Sequence, residues 1–331
     1  LAFSWCCAAA AGNSNNFLIM GDWGGQPTAP FTTPGEVATA AMMAKWAEEH
    51  ETAFVLAMGD NMYDRGVTNV SSTRFQTTFE NVFSQSVFES MPFYVIAGNH
   101  DWYGNVTAQV DYTSHSKRWT FPNLWYTFSH TFDNGVKADF LAIDTVTLAG
   151  LPLDEDDPVS GVTGERLEGA STEWDFIEDA LRNSTAPYLF VFGHYPIYSP
   201  CSHGPTGVLV EQLYPMLNKY KASAYLAGHD HCASSLRVPG NYTAIINSGN
   251  AHECCYQATN VDKCPPNSIL FLHADESKTG GPSRPMDRNP EDVVPDAGFA
   301  SITVTPQATQ VQYVAASGEV QYTGKPILPR D

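Results

Sequence analysis

The sequence predicts an α/β fold, and three observations carry that reading. Five short apolar runs each end in a glycine followed by a polar residue, amphipathic stretches separate them, and 43% hydrophobic and 12% aromatic residues supply a sizeable core for 331 residues. The runs are residues 17–20 before GDWG, 54–58 before GDNMYDRG, 93–97 before GNHD, 188–192 before GHYP and 225–227 before GHDH. Each is too short for a stable helix and apolar throughout, as befits a strand covered on both faces.

Helical spacing of apolar residues fills the gaps, first at 36–49 (EVATAAMMAKWAEE) and then at 73–83, 171–182 and 208–220. Strand and helix in alternation imply βαβ units, in which the carboxyl ends of the strands form a shared crevice. The five polar motifs are therefore expected to meet in space. Residues 150–169 and 277–296 are rich in Gly, Pro and acids without apolar periodicity and read as long surface loops. Residues 301–324 alternate apolar and polar, which predicts a closing antiparallel hairpin. With no internal repeat or linker, residues 17–331 are expected to form one catalytic domain, and residues 1–16 a tail or the remnant of a secretory signal.

Seventeen Lys and Arg stand against 36 Asp and Glu, a net charge of −19. That charge repels polyanions, so neither a nucleic acid nor a membrane held by basic residues is an expected partner. Four Asn-x-Ser/Thr sequons, at Asn69, Asn105, Asn183 and Asn241, point together to a glycoprotein that is secreted or lysosomal/vacuolar. The seven cysteines, at 6, 7, 201, 232, 254, 255 and 264, are odd in number, so at least one is free or paired outside the chain.

The strand-end motifs contribute Asp22, Asp60, Tyr63, Asn99, His100, His194, His229 and His231. Carboxylate, phenol, amide and imidazole donors together are a metal-ligand inventory. GDWG, GDNMY, GNHD, GHYP and GHDH, in this order, resemble the five-block signature of the metallophosphoesterases, and specifically of the purple acid phosphatases. RFQTTFENVFS, AGNHDWYGNV, SKRWTFPN, IDTVTL and GHYPIYSPCSHGPT are similar to the small tartrate-resistant type of that family.

The resemblance implies a sandwich of two mixed β-sheets flanked by helices. It also implies a dinuclear centre with Asp22, Tyr63 and His231 on Fe(III), with Asn99, His194 and His229 on a divalent Fe, Zn or Mn, and with Asp60 bridging the two. Gly24 stands where general phosphoesterases usually carry a second histidine, and the Tyr63 phenolate, a hard donor, favours a trivalent ion there. His100 and His203 match the family's outer histidines, implied to bind phosphate oxygens and protonate the leaving group.

The implied function is acid phosphatase hydrolysis of phosphate monoesters by metal-bound hydroxide. Small phosphorylated molecules are the expected substrates, phosphoproteins or nucleotides among them, and the protein is expected to be a monomer. The alternatives are a metal-dependent phosphodiesterase or nucleotide pyrophosphatase, and a non-catalytic secreted binding glycoprotein. Trp23, Trp102 and Tyr195 flank the ligands and are expected to wall the site, while His252 lies in a segment that resembles one near the family's pocket. Cys201 with Cys232, beside His203 and His231, is an expected disulfide; Cys254 or Cys255 with Cys264 is a second. Loop 150–169, with Asp154, Glu155, Asp156 and Asp157, takes the place of the family's repression loop and is expected to inhibit.

Overall fold

The computed structural model describes residues 6–7, 14–150, 169–275 and 296–330. Most of the expected tail, and all but the ends of the loops at 150–169 and 277–296, lie outside the described residues, and so does the expected inhibition by the first of these loops. The described strands form two mixed sheets. One runs in the order Val320–Thr323, Thr309–Ala315, Gly298–Val304, Asn16–Met20, Thr52–Met58, Phe93–Ile96 and Trp119–Thr120. Its first four strands are antiparallel to their neighbours, and pairing turns parallel from Asn16–Met20 onward. The other runs Cys6–Cys7, Tyr126–Thr131, Lys137–Ala142, Tyr188–Phe192, Ala224–Ala227, Ala244–Ser248, Ala233–Leu236 and Ile269–His273.

The five apolar runs are all strands, three parallel neighbours in the first sheet and two in the second. Period-2 alternation explains why they read as continuously apolar. In the second sheet Phe140, Phe190 and Leu226 point between the sheets, while Leu141, Val191 and Tyr225 face an outer cluster with Ile177, Leu181, Leu213 and Leu217. Phe17 is fully buried at the centre of the inner layer, with ring centroids 5.2 Å from Phe54, 5.3 Å from Phe140 and 5.3 Å from Phe190.

The first helix, Pro34–His50, starts at a capping box in which Thr33 and Glu36 each satisfy the other's backbone N–H. Ala170–Asn183 matches its expected helix. The segment expected at 208–220 divides into a wide π-type turn, Leu209–Leu213, and an α-helix, Tyr214–Lys219, because Pro215 lacks the N–H that a continuous ladder needs. The segment expected at 73–83 is helical only over Phe75–Glu80. The closing element is a three-stranded meander rather than a hairpin: Thr305 and Ala308 close one turn, and a second at Ala315–Gly318 returns the chain as Val320–Thr323.

Candidate active site

Each parallel strand delivers its motif at its carboxyl end, so the loops after Asn16–Met20, Thr52–Met58, Phe93–Ile96, Tyr188–Phe192 and Ala224–Ala227 meet across the two sheets. Asp22, Asp60 and His229 all adopt left-handed backbone, at φ 55°, 52° and 71°. That conformation is sparsely populated by non-glycine residues and turns each side chain abruptly inward. The adjoining glycines permit the crowding. A Cβ on Gly98 would lie 2.2 Å from Asp60 Oδ1, and one on Gly228 would lie 2.6 Å from Asp22 Oδ2.

The seven residues expected to bind metal come together, each 0–6% exposed. The Tyr63 hydroxyl lies 3.1 Å from Asp22 Oδ1, 3.0 Å from Asp60 Oδ2 and 3.0 Å from His231 Nε2. One O–H proton serves one acceptor, so lone pairs converge there that protein donors alone do not satisfy. On the far side of Asp60, its Oδ1 lies 3.4 Å from His194 Nε2, which is 3.0 Å from Asn99 Oδ1. His194 Nδ1 faces the Met58 carbonyl at 2.9 Å, which leaves Nε2 pointing into the cluster. Asp60, His194 and His229 can offer one ligand atom each within 4.8 Å of one another.

Charge follows the same pattern. Burial drives the His231 imidazole down to about 4 and holds His229 well below its ordinary value, so both are neutral nitrogen donors at the acidities where imidazole usually protonates. Burial, then the Asp22 and Asp60 charges, push the Tyr63 phenol well up. A phenolate there requires cations of its own. Two carboxylates, a phenol, an amide and three imidazoles fit a pair of cations, with Asp60 the one residue that faces both halves.

His100 and His203 flank this cluster. His100 Nδ1 faces the Asp64 carbonyl at 2.6 Å, and its Nε2 lies 4.0 Å from Asp60 Oδ2. His203 stacks on His229 with centroids 4.1 Å apart, and its backbone N–H donates to Asp230 Oδ1 at 2.8 Å. The disulfide Cys201–Cys232 ties the two loops that carry His203 and His231, as the sequence suggested. The other expected pairing is corrected: Cys254 and Cys255 join each other, and Cys264 is buried and free. The Cys264 side chain packs into the outer core beyond the second sheet.

The aromatic residues divide. Tyr195 packs on His229 at 4.6 Å and does wall the site. Trp23 instead lies in an aromatic cluster with Phe79, Phe83 and Trp119, fully buried and donating to Asn61 Oδ1 at 3.0 Å. Trp102 donates to Asp144 Oδ1 at 3.3 Å. Of the sequons, Asn69, Asn105 and Asn183 are exposed and Asn241 is half-buried.

Four residues at the site had no assigned role. Asp101 is fully buried and accepts from the backbone N–H groups of Gly98 and Asn61 and from Gln109, at 2.8, 3.1 and 2.8 Å. This knits the Asp60 and Asn99 loops together, and its place inside GNHD was the available signal. His252, Glu253 and Tyr256 come from the loop after Ala244–Ser248, a sixth strand end. His252 Nδ1 lies 2.6 Å from the Asp22 carbonyl and its ring 4.4 Å from that of Tyr63; Tyr256 stacks on His231 at 4.3 Å.

Residues 16–233 match the calcineurin-like phosphoesterase family. The chain is 37% identical over 308 residues to the tartrate-resistant acid phosphatase type 5 of Oryctolagus cuniculus, covering 92% of this chain and 88% of that protein. It is 30% identical over 242 residues to purple acid phosphatase 4 of Arabidopsis thaliana, covering 71% of this chain and 68% of that protein. Among solved structures, GAP50, the anchor in the inner membrane complex of Plasmodium, superposes with a TM-score of 0.73 at 22% identity over 96% of this chain and 89% of its own.

Proposed function

The chain belongs to the calcineurin-like phosphoesterases and, within them, to the tartrate-resistant and purple acid phosphatases, and from that premise we propose that it is an acid phosphatase that hydrolyses phosphate monoesters at an Fe(III)–M(II) pair. Family membership implies a dinuclear metal centre. The observation that carries the finer reading is the convergence of the Tyr63 hydroxyl on Asp22, Asp60 and His231. A phenolate is a hard donor suited to Fe(III), whereas Asn99, His194 and His229 suit divalent Fe, Zn or Mn.

In this reading Asp22, Tyr63 and His231 would hold one ion, Asn99, His194 and His229 would hold the other, and Asp60, which faces both groups, would be shared between them. When bound, the pair supplies Lewis acidity to the phosphate and lowers the pKa of water, so that hydroxide is available at acidic pH. The remaining work belongs to the outer histidines. His100 keeps its Nδ1 proton on the Asp64 carbonyl and so turns Nε2 toward the substrate side of Asp60, while His203 is held by its backbone to Asp230. They bind phosphate oxygens, and one of them delivers a proton to the departing alkoxide. Exposed sequons support a secreted or lysosomal/vacuolar glycoprotein acting on small phosphorylated molecules.

The visible absorption spectrum of the oxidised, iron-loaded protein tests the reading. A broad band giving a purple or pink colour is expected from Tyr63 phenolate on Fe(III). Fully metallated protein without colour would overturn the iron and Tyr63 assignments together.

A further inference from the structure

Of the three histidines assigned to metal, His194 has its second ring nitrogen anchored, with Nδ1 facing the Met58 carbonyl at 2.9 Å. His231 differs. Its Nε2 points at Tyr63 and Asp22, yet its Nδ1 is buried with no hydrogen-bond partner. An imidazole that binds metal through Nε2 carries its proton on Nδ1, and burying that donor unpaired is costly. The carboxylate facing it belongs to Glu253, whose Oε2 lies 3.9 Å from His231 Nδ1 and 3.7 Å from His252 Nε2.

Between these two nitrogens the chemistry selects one. His252 Nδ1 faces the Asp22 carbonyl at 2.6 Å and so carries that ring's proton, which leaves His252 Nε2 an acceptor with nothing to give a carboxylate. His231 Nδ1–H is then the donor to Glu253. The His252 ring fixes the geometry: it is 6% exposed, lies at 83° to His231 across 4.9 Å, and its own carbonyl is held by Thr33 Oγ1 at 2.6 Å. Glu253, 41% exposed at its side chain, has the freedom to swing about 1 Å onto Nδ1.

We propose that Glu253 is a positioning residue for the Fe(III) half of the centre: its carboxylate accepts the Nδ1 proton of His231, fixes that ring's tautomer and raises its basicity toward the metal. The proposal rests on the dinuclear reading above and deepens it. A more basic His231 donates more charge to the ion, which raises the energy of the Tyr63-to-iron transition and holds iron more tightly; such carboxylates typically contribute roughly 10–100-fold in metal affinity.

The test compares wild type, Glu253→Gln and Glu253→Ala as oxidised, iron-loaded proteins, reading band position and the rate of iron loss to a chelator. Glu253→Gln keeps the size and a neutral acceptor, so it guards against loss of folding. The expected order is a longer-wavelength band and faster iron loss in Gln than in wild type, and more so in Ala, with iron affinity down roughly 10-fold or more in Ala. Bands and loss rates equal to wild type in both variants overturn the proposal while leaving the centre itself intact. If wild type is colourless, the Fe(III)–Tyr63 reading fails separately. The Nδ1–H proton resonance of His231 in zinc-loaded protein then decides: present in wild type and lost in Glu253→Ala supports the contact, and unchanged in the variant refutes it.

Discussion

Two buried acids away from the metal cluster make stability depend on pH. Asp144 caps the helix Thr145–Ala149, fully buried, accepting from Val146 N at 3.1 Å, Thr147 Oγ1 at 2.7 Å and Trp102 Nε1 at 3.3 Å. Its backbone N–H donates to Glu173 Oε1 at 2.6 Å. Burial pushes Asp144 from 3.8 to about 6, and burial together with the Asp144 charge pushes Glu173 well up. A carboxyl whose folded pKa is raised favours the native state when protonated. Its contribution is present in full below pH 3.8 and is lost as pH rises through about 6. About 2 pKa units at about 1.4 kcal/mol each make this on the order of 3 kcal/mol. Asp144→Asn keeps the size and the acceptor oxygen but does not ionise. For a chain of 331 residues, unfolding entropy of about 2.1 cal/mol/K per residue converts that energy to about 4 °C in Tm. Thermal unfolding of both proteins from pH 4 to pH 7 is therefore expected to show wild type losing about 4 °C relative to Asp144→Asn. Two Tm curves that stay parallel across that range would refute the reasoning.

Tyr63→Phe is expected to fold, since the ring stays buried, and to lose the visible band; an unchanged spectrum in the iron-loaded variant would contradict the phenolate assignment. Phe17→Ala removes the ring at the junction of both sheets and is expected to cost about 3–5 kcal/mol by denaturant unfolding. Cys201→Ala with Cys232→Ala opens a crosslink between residues 31 apart, which by chain entropy costs about 4 kcal/mol. Because that crosslink joins the His203 and His231 loops, kcat is expected to fall in the folded double variant at permissive temperature, and an unaffected kcat would limit the bond to stability.

What the sequence made legible follows from what each residue does locally. Strands covered on both faces read as apolar runs, and the turn after each run displays its glycine and its ligand side by side, so Asp22, Asp60, Asn99, His194 and His229 stand out from the chain alone. The meander at the end was half legible: its first two strands alternate cleanly, but the third, Val320–Thr323, is a short edge strand without a buried face to pattern it. Pro215 marks the break in the helix, but the apolar spacing continues through it and masks the division. Asp101 and Glu253 could not be ranked from sequence, because their importance lies in donors brought from 40 residues away at Asn61 and from His231 on another strand end.

The backbone at the site explains why its inner and outer shells differ in this way. Asp22, Asp60 and His229 hold left-handed φ values, each costing on the order of 1–3 kcal/mol. Such turns persist where neighbouring loops over-determine them, and here Gly21 N donates to the Ser248 carbonyl, Asp22 N to the Gly59 carbonyl and Gly228 N to the His194 carbonyl. Each of these strand ends is thus pinned by another strand end, in the same sheet or the opposite one. The same interlocking brings the Ala244–Ser248 end against Asp22, with Ala251 N donating to the Gly21 carbonyl and His252 N to the Asp22 carbonyl. His252 is consequently held by the same turn that carries Asp22, and Glu253 follows it directly, although no metal-ligand motif marks either. A loop that shares the backbone hydrogen bonds of the ligand turns inherits their precision, and that inheritance sets the Glu253 backbone beside His231 while its side chain stays free to close the last distance to Nδ1.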